Sequence, residues 1–268
     1  MSTSGILKGK RAVIFGAGGS IGAAVAREFA AEGAHLFLSG RTRESVDRVA
    51  ASIREAGGHA EVAVIDALDD AAVNAYVDDI VTQHAGVDIE FNAVGALVSD
   101  YKNGTHAVDL PVANFMVPLD IVVKSRFITA RAAARQMVKQ GRGVIIFLTG
   151  SPARGYVPGA TSIGTAFGAI EAFAENLAIE VSPAGVRAVC LRTTANVDSR
   201  SIQDTMAVAA ARTNLPKDEL MGRLAALNFL KVPATTGDTA KAAAFLASDR
   251  ARMFTGTVVN ATAGAAAD

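Results

Sequence analysis

RAVIFGAGGSIG, residues 11–22, followed by AAVAREFAAEG, is the stretch that decides the fold. Ala12 to Phe15 is a short apolar run, the signature of a strand buried on both faces. It breaks into Gly16, Gly18, Gly19 and Gly22, after which Ile21, Val25 and Phe29 recur at intervals of four, a helical spacing. Strand, glycine turn and helix together bring backbone N–H groups and a helix N-terminus to a pyrophosphate. Glycine serves there because a Cβ would block both the turn and the approach of the phosphate. An ordinary glycine-rich strand–helix turn has the same letters, so the rest of the chain must decide.

Outward from this turn, the pattern alternates. Ala34–Ser39, Ala60–Ile65, Val87–Ala93, Gly143–Thr149, Arg187–Leu191 and Thr257–Asn260 read as six further strands. Helices are predicted over about 44–56, stopped by Gly57-Gly58, over 70–84 with Asp69 as cap, and from beyond Asn114 through Lys139. Others are predicted over about 161–181, twice within 199–229 with Pro216 opening the second, and over 238–247. The segment from Ser99 to Asn114 reads as looser chain. Strands alternating with helices predict an α/β fold: a Rossmann-type, doubly wound, seven-stranded parallel sheet with helices on both faces, one domain spanning 1–268. Ligands then bind beyond the C-terminal ends of the strands, where the strand order reverses, and the glycine turn lies at that edge.

Composition narrows the partners. The chain has 268 residues, 50% of them hydrophobic, with 26 basic and 26 acidic side chains that cancel. No basic run suggests nucleic acid, and no span approaches a membrane-crossing length, so neither partner is expected. The N-terminus lacks the apolar core of a signal peptide, and a cytoplasmic location is expected. The lone Cys190 reads as a buried thiol. No metal site is read from the sequence.

The sequence resembles the short-chain dehydrogenase/reductase family over nearly its whole length. The family's Thr-Gly-x-x-x-Gly-x-Gly turn falls on Phe15 to Gly22, with Phe15 for the threonine and Ser20 for the middle glycine. Its Asn-Asn-Ala-Gly falls on Asn92, Ala93, Val94 and Gly95, and FLASDRARMFTGTVVN is similar to its C-terminal Phe-Leu-x-Ser…Thr-Gly segment. The resemblance implies a nicotinamide dinucleotide held by Gly16, Gly18, Gly19, Ser20, Ile21 and Gly22. It adds Asp66 and Ala67 near the adenine, Asn92 to Gly95, and Thr194 near the nicotinamide. NAD-binding members usually place an acid at the end of the second strand; here Gly40 stands there, followed by Arg41 and flanked by Ser39, Thr42 and Arg43. A carboxylate would repel a 2′-phosphate, whereas a guanidinium binds it, so NADP(H) is the expected cofactor. The alternative is that Arg41 and Arg43 are solvated charges opening a helix.

The family's proton-transfer residues are replaced. Aligned through AIEAFAENLAIEV, the tyrosine position is Ile163 and the lysine position Phe167; the serine position is Gly150, beside Ser151; the asparagine position is Val122. Tyr76, Tyr101 and Tyr156 are followed four residues later by Ile80, Thr105 and Ala160, so no register restores a tyrosine–lysine pair on one helical face. Thr193-Thr194 stands where the family has Pro-Gly. Three loops leave the functional edge and carry other polar groups: Ser151, Arg154 and Tyr156; Tyr101, Lys102 and His106; Thr194, Asn196 and Asp198. Tyr156 is the preferred substitute acid, with Ser151 as its companion candidate. Lys124 and Arg126 are expected to face solvent or a subunit contact. Glu90, on the same strand face as Asn92, is expected to be either paired or raised in pKa.

Two functions remain open at this point. One is an NADP(H)-dependent oxidoreductase with a non-standard active site, acting on a small hydrophobic carbonyl, enone or imine. The other is a non-redox relative, either a cofactor sensor or scaffold or a lyase or cyclase reusing the pocket. Residues 195–232 are expected to form a substrate lid. The apolar 163–181 helix and the long helix before it are expected to pair subunits into a homodimer or homotetramer.

Overall fold

The computed structural model describes residues 5–154 and 157–266. Seven strands, β1 (Arg11–Phe15), β2 (His35–Gly40), β3 (His59–Val64), β4 (Ile89–Asn92), β5 (Gly143–Gly150), β6 (Val186–Thr193) and β7 (Thr257–Ala261), form one sheet in the order β3-β2-β1-β4-β5-β6-β7. Every neighbouring pair is parallel. The order reverses between β1 and β4, the switch point at which such sheets open a crevice.

Two apolar layers flank the sheet. Val25 and Phe29 of α1 (Ser20–Ala31), Val46 and Ile53 of α2 (Arg43–Glu55) and a late helix, residues 236–247, cover one face. Val73, Val77 and Ile80 of α3 (Asp70–His84) and two long helices following β4 and β5 cover the other. Sequence signals account for the ends: Asp69 accepts from Ala72 N–H to cap α3, and Gly141 takes the left-handed conformation after the helix that precedes β5.

The helix expected to begin after Asn114 is in three parts. Helix α4 (Val112–Pro118) starts inside the segment read as loose; a π turn covers Leu119–Val123; α5 (Lys124–Gln140) completes it. Pro118 lacks an N–H, and the backbone widens to i→i+5 bonding immediately after it. After β5, a short 3₁₀ turn, Ser151–Arg154, leads to α6 (Thr161–Val181). Helices α7 (Arg200–Thr213, capped by Ser199) and α8 (Lys217–Ala226, opened by Pro216) bury no residue fully, and α9 (Thr236–Ala247) starts with a Thr235–Asp238 capping box. Among the described residues, no helix is long and apolar enough to cross a membrane.

Candidate active site

The crevice begins at the β1–α1 turn, where the backbone is packed too closely for side chains. A Cβ on Gly22 would fall 2.3 Å from Gly16 O, and one on Gly16 (φ +72°) would meet Val94 N at 2.9 Å. The latter contact seats the end of β4 against the turn. Gly19 opens α1 with no side-chain cap. The first N–H groups of α1 therefore point outward without intrahelical acceptors, as an anion requires. Ser20 does something different. Its Oγ accepts from Arg200 N–H at 3.1 Å, joining the glycine turn to the start of α7.

At the end of β2 the named candidates separate. Ser39 is fully buried and directs its hydroxyl at Ile14 O, 3.4 Å away, so its side chain is turned into the sheet rather than toward a ligand. Any part that Ser39, expected among the cofactor-binding residues, takes in binding falls to its backbone, since strand alternation points its side chain inward. Arg41 and Thr42 are exposed, and Arg41 has no partner among the described residues. Arg43, by contrast, is tied to Asp47 one helical turn on. Asp66 accepts from Leu68 N–H at 3.0 Å in a local turn, and Ala67 beside it is buried. Asn92 is fixed from both ends, donating to Thr129 Oγ1 and accepting from Val94 N–H. A Cβ on Gly95 would meet open space.

The other end of the crevice is apolar. Ile163 and Phe167 lie one turn apart on α6, both half-buried against the core. A Cβ on Gly150 would touch the Phe167 ring at 3.1 Å, so the end of β5 and this face of α6 meet there. Val122 is buried within the π turn. None of these side chains can carry a proton to a reacting atom. Ser151 is buried beside Gly150. Tyr156 lies outside the described residues.

Beneath the apolar surface lies a charged layer of which the sequence pointed only to Glu90. Arg126 is 3% exposed, not solvent-facing as expected. Its guanidinium donates to Val94 O and Val122 O, linking the segment after β4 to the π turn. Burial pushes the Arg126 pKa down to about 10, an effect that nearby Glu90 opposes. Burial pushes Glu90 up to about 8, against the pull of Thr129 and Arg126, and its Oε1 has no hydrogen-bond partner among the described residues. Glu90 therefore has the raised pKa rather than a full set of partners. Further along, Arg192 on β6 donates through Nε and Nη2 to the two oxygens of Glu171 on α6, at 2.8 Å each, and Thr149 donates to Glu171 at 3.0 Å. Such two-pronged, charge-assisted pairing satisfies a buried carboxylate. The signal for it was a charged residue inside each of two apolar runs. Burial holds the Cys190 thiol up at about 12, so it is not a nucleophile.

The loop candidates divide in the same way. Lys102 and His106 line a cavity of about 470 Å³ with Asp109 and with Val208 and Arg212 of α7. Arg212 also donates to Gly104 O, closing that side. Tyr101 is buried and its phenol is pushed up to about 12 by desolvation. Asn196 accepts from Thr239 Oγ1, and Asp198 accepts from both the N–H and the hydroxyl of Thr236. These two side chains are spent on anchoring α9. Thr194 is buried. Lys124 is exposed, as expected.

A parallel sheet with a glycine turn at its switch point and an uncapped helix beyond it defines a Rossmann-fold, dinucleotide-binding class of protein. Within that class, the chain belongs to the short-chain dehydrogenase/reductase family of oxidoreductases: a family model described as enoyl-(acyl carrier protein) reductase matches residues 16–266. It is 29% identical to the short-chain reductase protein NovJ of Streptomyces niveus, covering 94% of this chain and 92% of that one. It is 27% identical to versicolorin reductase stcU of Emericella nidulans, covering 97% and 96%. Among solved structures it is similar to a short-chain dehydrogenase/reductase from Burkholderia xenovorans, at 27% identity and a TM-score of 0.83, covering 97% and 98%. It is also similar to an NAD+-bound xylitol dehydrogenase, at 25% identity and a TM-score of 0.86, covering 95% and 98%.

Proposed function

We propose that the chain is an NADP(H)-dependent oxidoreductase with a non-standard active site, acting on a small hydrophobic carbonyl, enone or imine. The observation that carries this reading is the close-packed glycine turn with the unpaired, exposed Arg41 beside it. The N-terminus of α1, with Gly18, Gly19 and Ile21, would hold the pyrophosphate; Arg41, with Thr42, the 2′-phosphate; Asp66 and Ala67 the adenine; Asn92 to Gly95 and Thr194 the remainder. An anion gains there from helix-terminal N–H groups, and a 2′-phosphate from a guanidinium that no carboxylate already occupies. NADP(H), when bound, supplies or accepts a hydride. A relative crystallised with NAD+ and reductases among the relatives support a nicotinamide cofactor; Gly40 and Arg41 support the phosphorylated form.

This chain's own residues have narrower work. Ile163, Phe167 and Val122 exclude water and receive an apolar substrate beside the nicotinamide. Since they provide no proton, the substrate must bring its own reactivity: an iminium needs none, and an activated enone can be protonated from solvent. Losing a general acid costs about a hundredfold to ten-thousandfold, which such substrates tolerate. Ser151, with Tyr156, supplies the polar contact to a substrate oxygen. Residues 195–232, joined to the glycine turn through the Ser20–Arg200 contact, act as the lid. Exposed Phe127, packed at a tilt against half-buried Phe173 (ring centroids 5.6 Å), leaves an apolar α5–α6 face for a homodimer or homotetramer. A cytoplasmic site of action accords with a lone, buried cysteine.

The test is NADPH oxidation against a panel of imines, enones and simple ketones. Turnover of an imine or activated enone with little on simple ketones is expected. NADPH binding without turnover of any member would instead favour the non-redox reading.

A further inference from the structure

Far from the crevice, three of the chain's four histidines gather at the opposite edge of the sheet. His35 begins β2, His59 begins β3 and His84 ends α3; parallel pairing sets His35 beside His59 and Phe37 beside Glu61. His59 and Glu61 alternate onto the same face, the one covered by α3. Glu61 Oε1 lies 2.8 Å from His35 Nε2 and 3.3 Å from His84 Nε2. The three donor atoms lie within 4.8 Å of one another.

The rings are held in place. His35 stacks on Phe37 at 4.8 Å and meets His84 edge-on at 5.2 Å, while Phe37 packs on His84 at 4.7 Å. The backbone of His84 is fixed by Arg11, which donates to its carbonyl at 2.7 Å. The phenol of Tyr76, which feels the charge of Glu61, has a buried hydroxyl with no partner among the described residues. The side chains of His35, Glu61 and His84 are 34, 47 and 24% exposed, so solvent reaches the site.

We propose that His35, Glu61 and His84 form a binding site for a divalent late transition metal ion, zinc above all. With bonds of about 2.0–2.2 Å, tetrahedral ligand atoms stand about 3.3–3.5 Å apart. The His84–Glu61 pair already has that separation; His35 must withdraw from Glu61 by about half an ångström, and the two imidazole nitrogens, up to 4.8 Å apart, must close by roughly an ångström, which ring rotation supplies. Two imidazoles and one carboxylate suit zinc, nickel or cobalt rather than the all-oxygen preference of magnesium or calcium. Each ring binds through Nε2 with its proton on Nδ1, and water or the nearby His59, whose ring centroid is 5.8 Å from that of His35, completes the shell. The C-terminus of α3 adds a partial negative charge that favours a cation. The ion would clamp β2, β3 and α3 together at the sheet edge away from the nicotinamide crevice, a structural role.

The experiment is calorimetric titration of the full-length, tag-free chain with Zn2+ after chelator treatment. One equivalent should bind, and Glu61→Gln and His84→Ala should each weaken it by about tenfold or more. His106→Ala, which removes the histidine outside the cluster, should leave the titration as in the parent. Co2+ should give the intense visible bands of a tetrahedral site, a readout on the parent chain that stands even if a variant fails to fold. Absence of saturable Zn2+ binding at roughly a hundred micromolar overturns the proposal, since Glu61 then holds a hydrogen bond to His35 and a 3.3 Å contact to His84 and nothing more. Parent-like binding in both folded variants overturns it equally.

Discussion

A Cβ on Gly22 would fall 2.3 Å from a backbone oxygen, whereas one on Gly150, at the other end of the same crevice, would meet the edge of the Phe167 ring at 3.1 Å. The first region is fixed by backbone against backbone and admits no substitution without moving a strand or helix. The second is shaped by side chains and can be refilled by changing its neighbours. The difference shows that the turn is built into the path of the chain, whereas the face formed by Gly150 and Phe167 depends on a few side chains.

The largest effect should come from the backbone-fixed end. Gly22→Ala drives a methyl into Gly16 O and should lower stability by about 3 kcal/mol in urea melts, with NADPH binding lost in step. An unaltered melt would mean that the turn is not as tightly closed as the 2.3 Å separation requires.

Next comes the cofactor contact. Arg41→Ala should cost about 1–3 kcal/mol in NADPH binding, the range for a lost charge-assisted bond, and little for NADH. Equal losses for both dinucleotides in a fluorescence titration would remove the 2′-phosphate from the reading of this site.

A different kind of effect, a slope against pH rather than a loss at one pH, concerns the buried layer under the side-chain-fixed end. Glu90 has its pKa raised to about 8 in the folded chain. Between the ordinary carboxyl range and pH 8, the folded state therefore holds a proton that the unfolded state has released, and stability from this group falls as pH rises through that window. Above about pH 8 the slope ends. Glu90→Gln keeps the shape and removes the titration, so its stability should be flatter between pH 5 and about 8 than the parent's. Parallel pH profiles would show that Glu90 is charged in the fold, paired with Arg126.

How much of this was readable differs along the same division. The glycine turn, the alternation of strands and helices, the cap at Asp69 and the start of α8 at Pro216 all follow from local chemistry, and the sequence carries them openly. Arg126 escapes a sequence reading because a guanidinium is expected at solvent, although it shares the face of α5 that carries the buried Ala130, Ala133 and Met137. Asn196 and Asp198 look like loop chemistry in sequence, and only their contacts with Thr239 and Thr236 reveal anchoring roles. The His35, Glu61 and His84 cluster could not be read at all, because strand register and the end of α3 bring together residues from three elements with no motif spacing.

The most direct test of the comparison is to refill the side-chain-fixed end. Gly150→Ser, Ile163→Tyr and Phe167→Lys belong together, since a side chain at 150 presses on the Phe167 ring. A lone tyrosine keeps a pKa near 10, and a lone buried lysine loses its charge, so no single change should suffice. In an NADPH-oxidation assay with an activated ketone, the parent and each single variant should show negligible rates, and the triple variant measurable reduction. Efficient ketone reduction by the parent, or a triple variant that folds and binds NADPH yet stays inactive, would contradict a reacting end whose chemistry rests on those side chains.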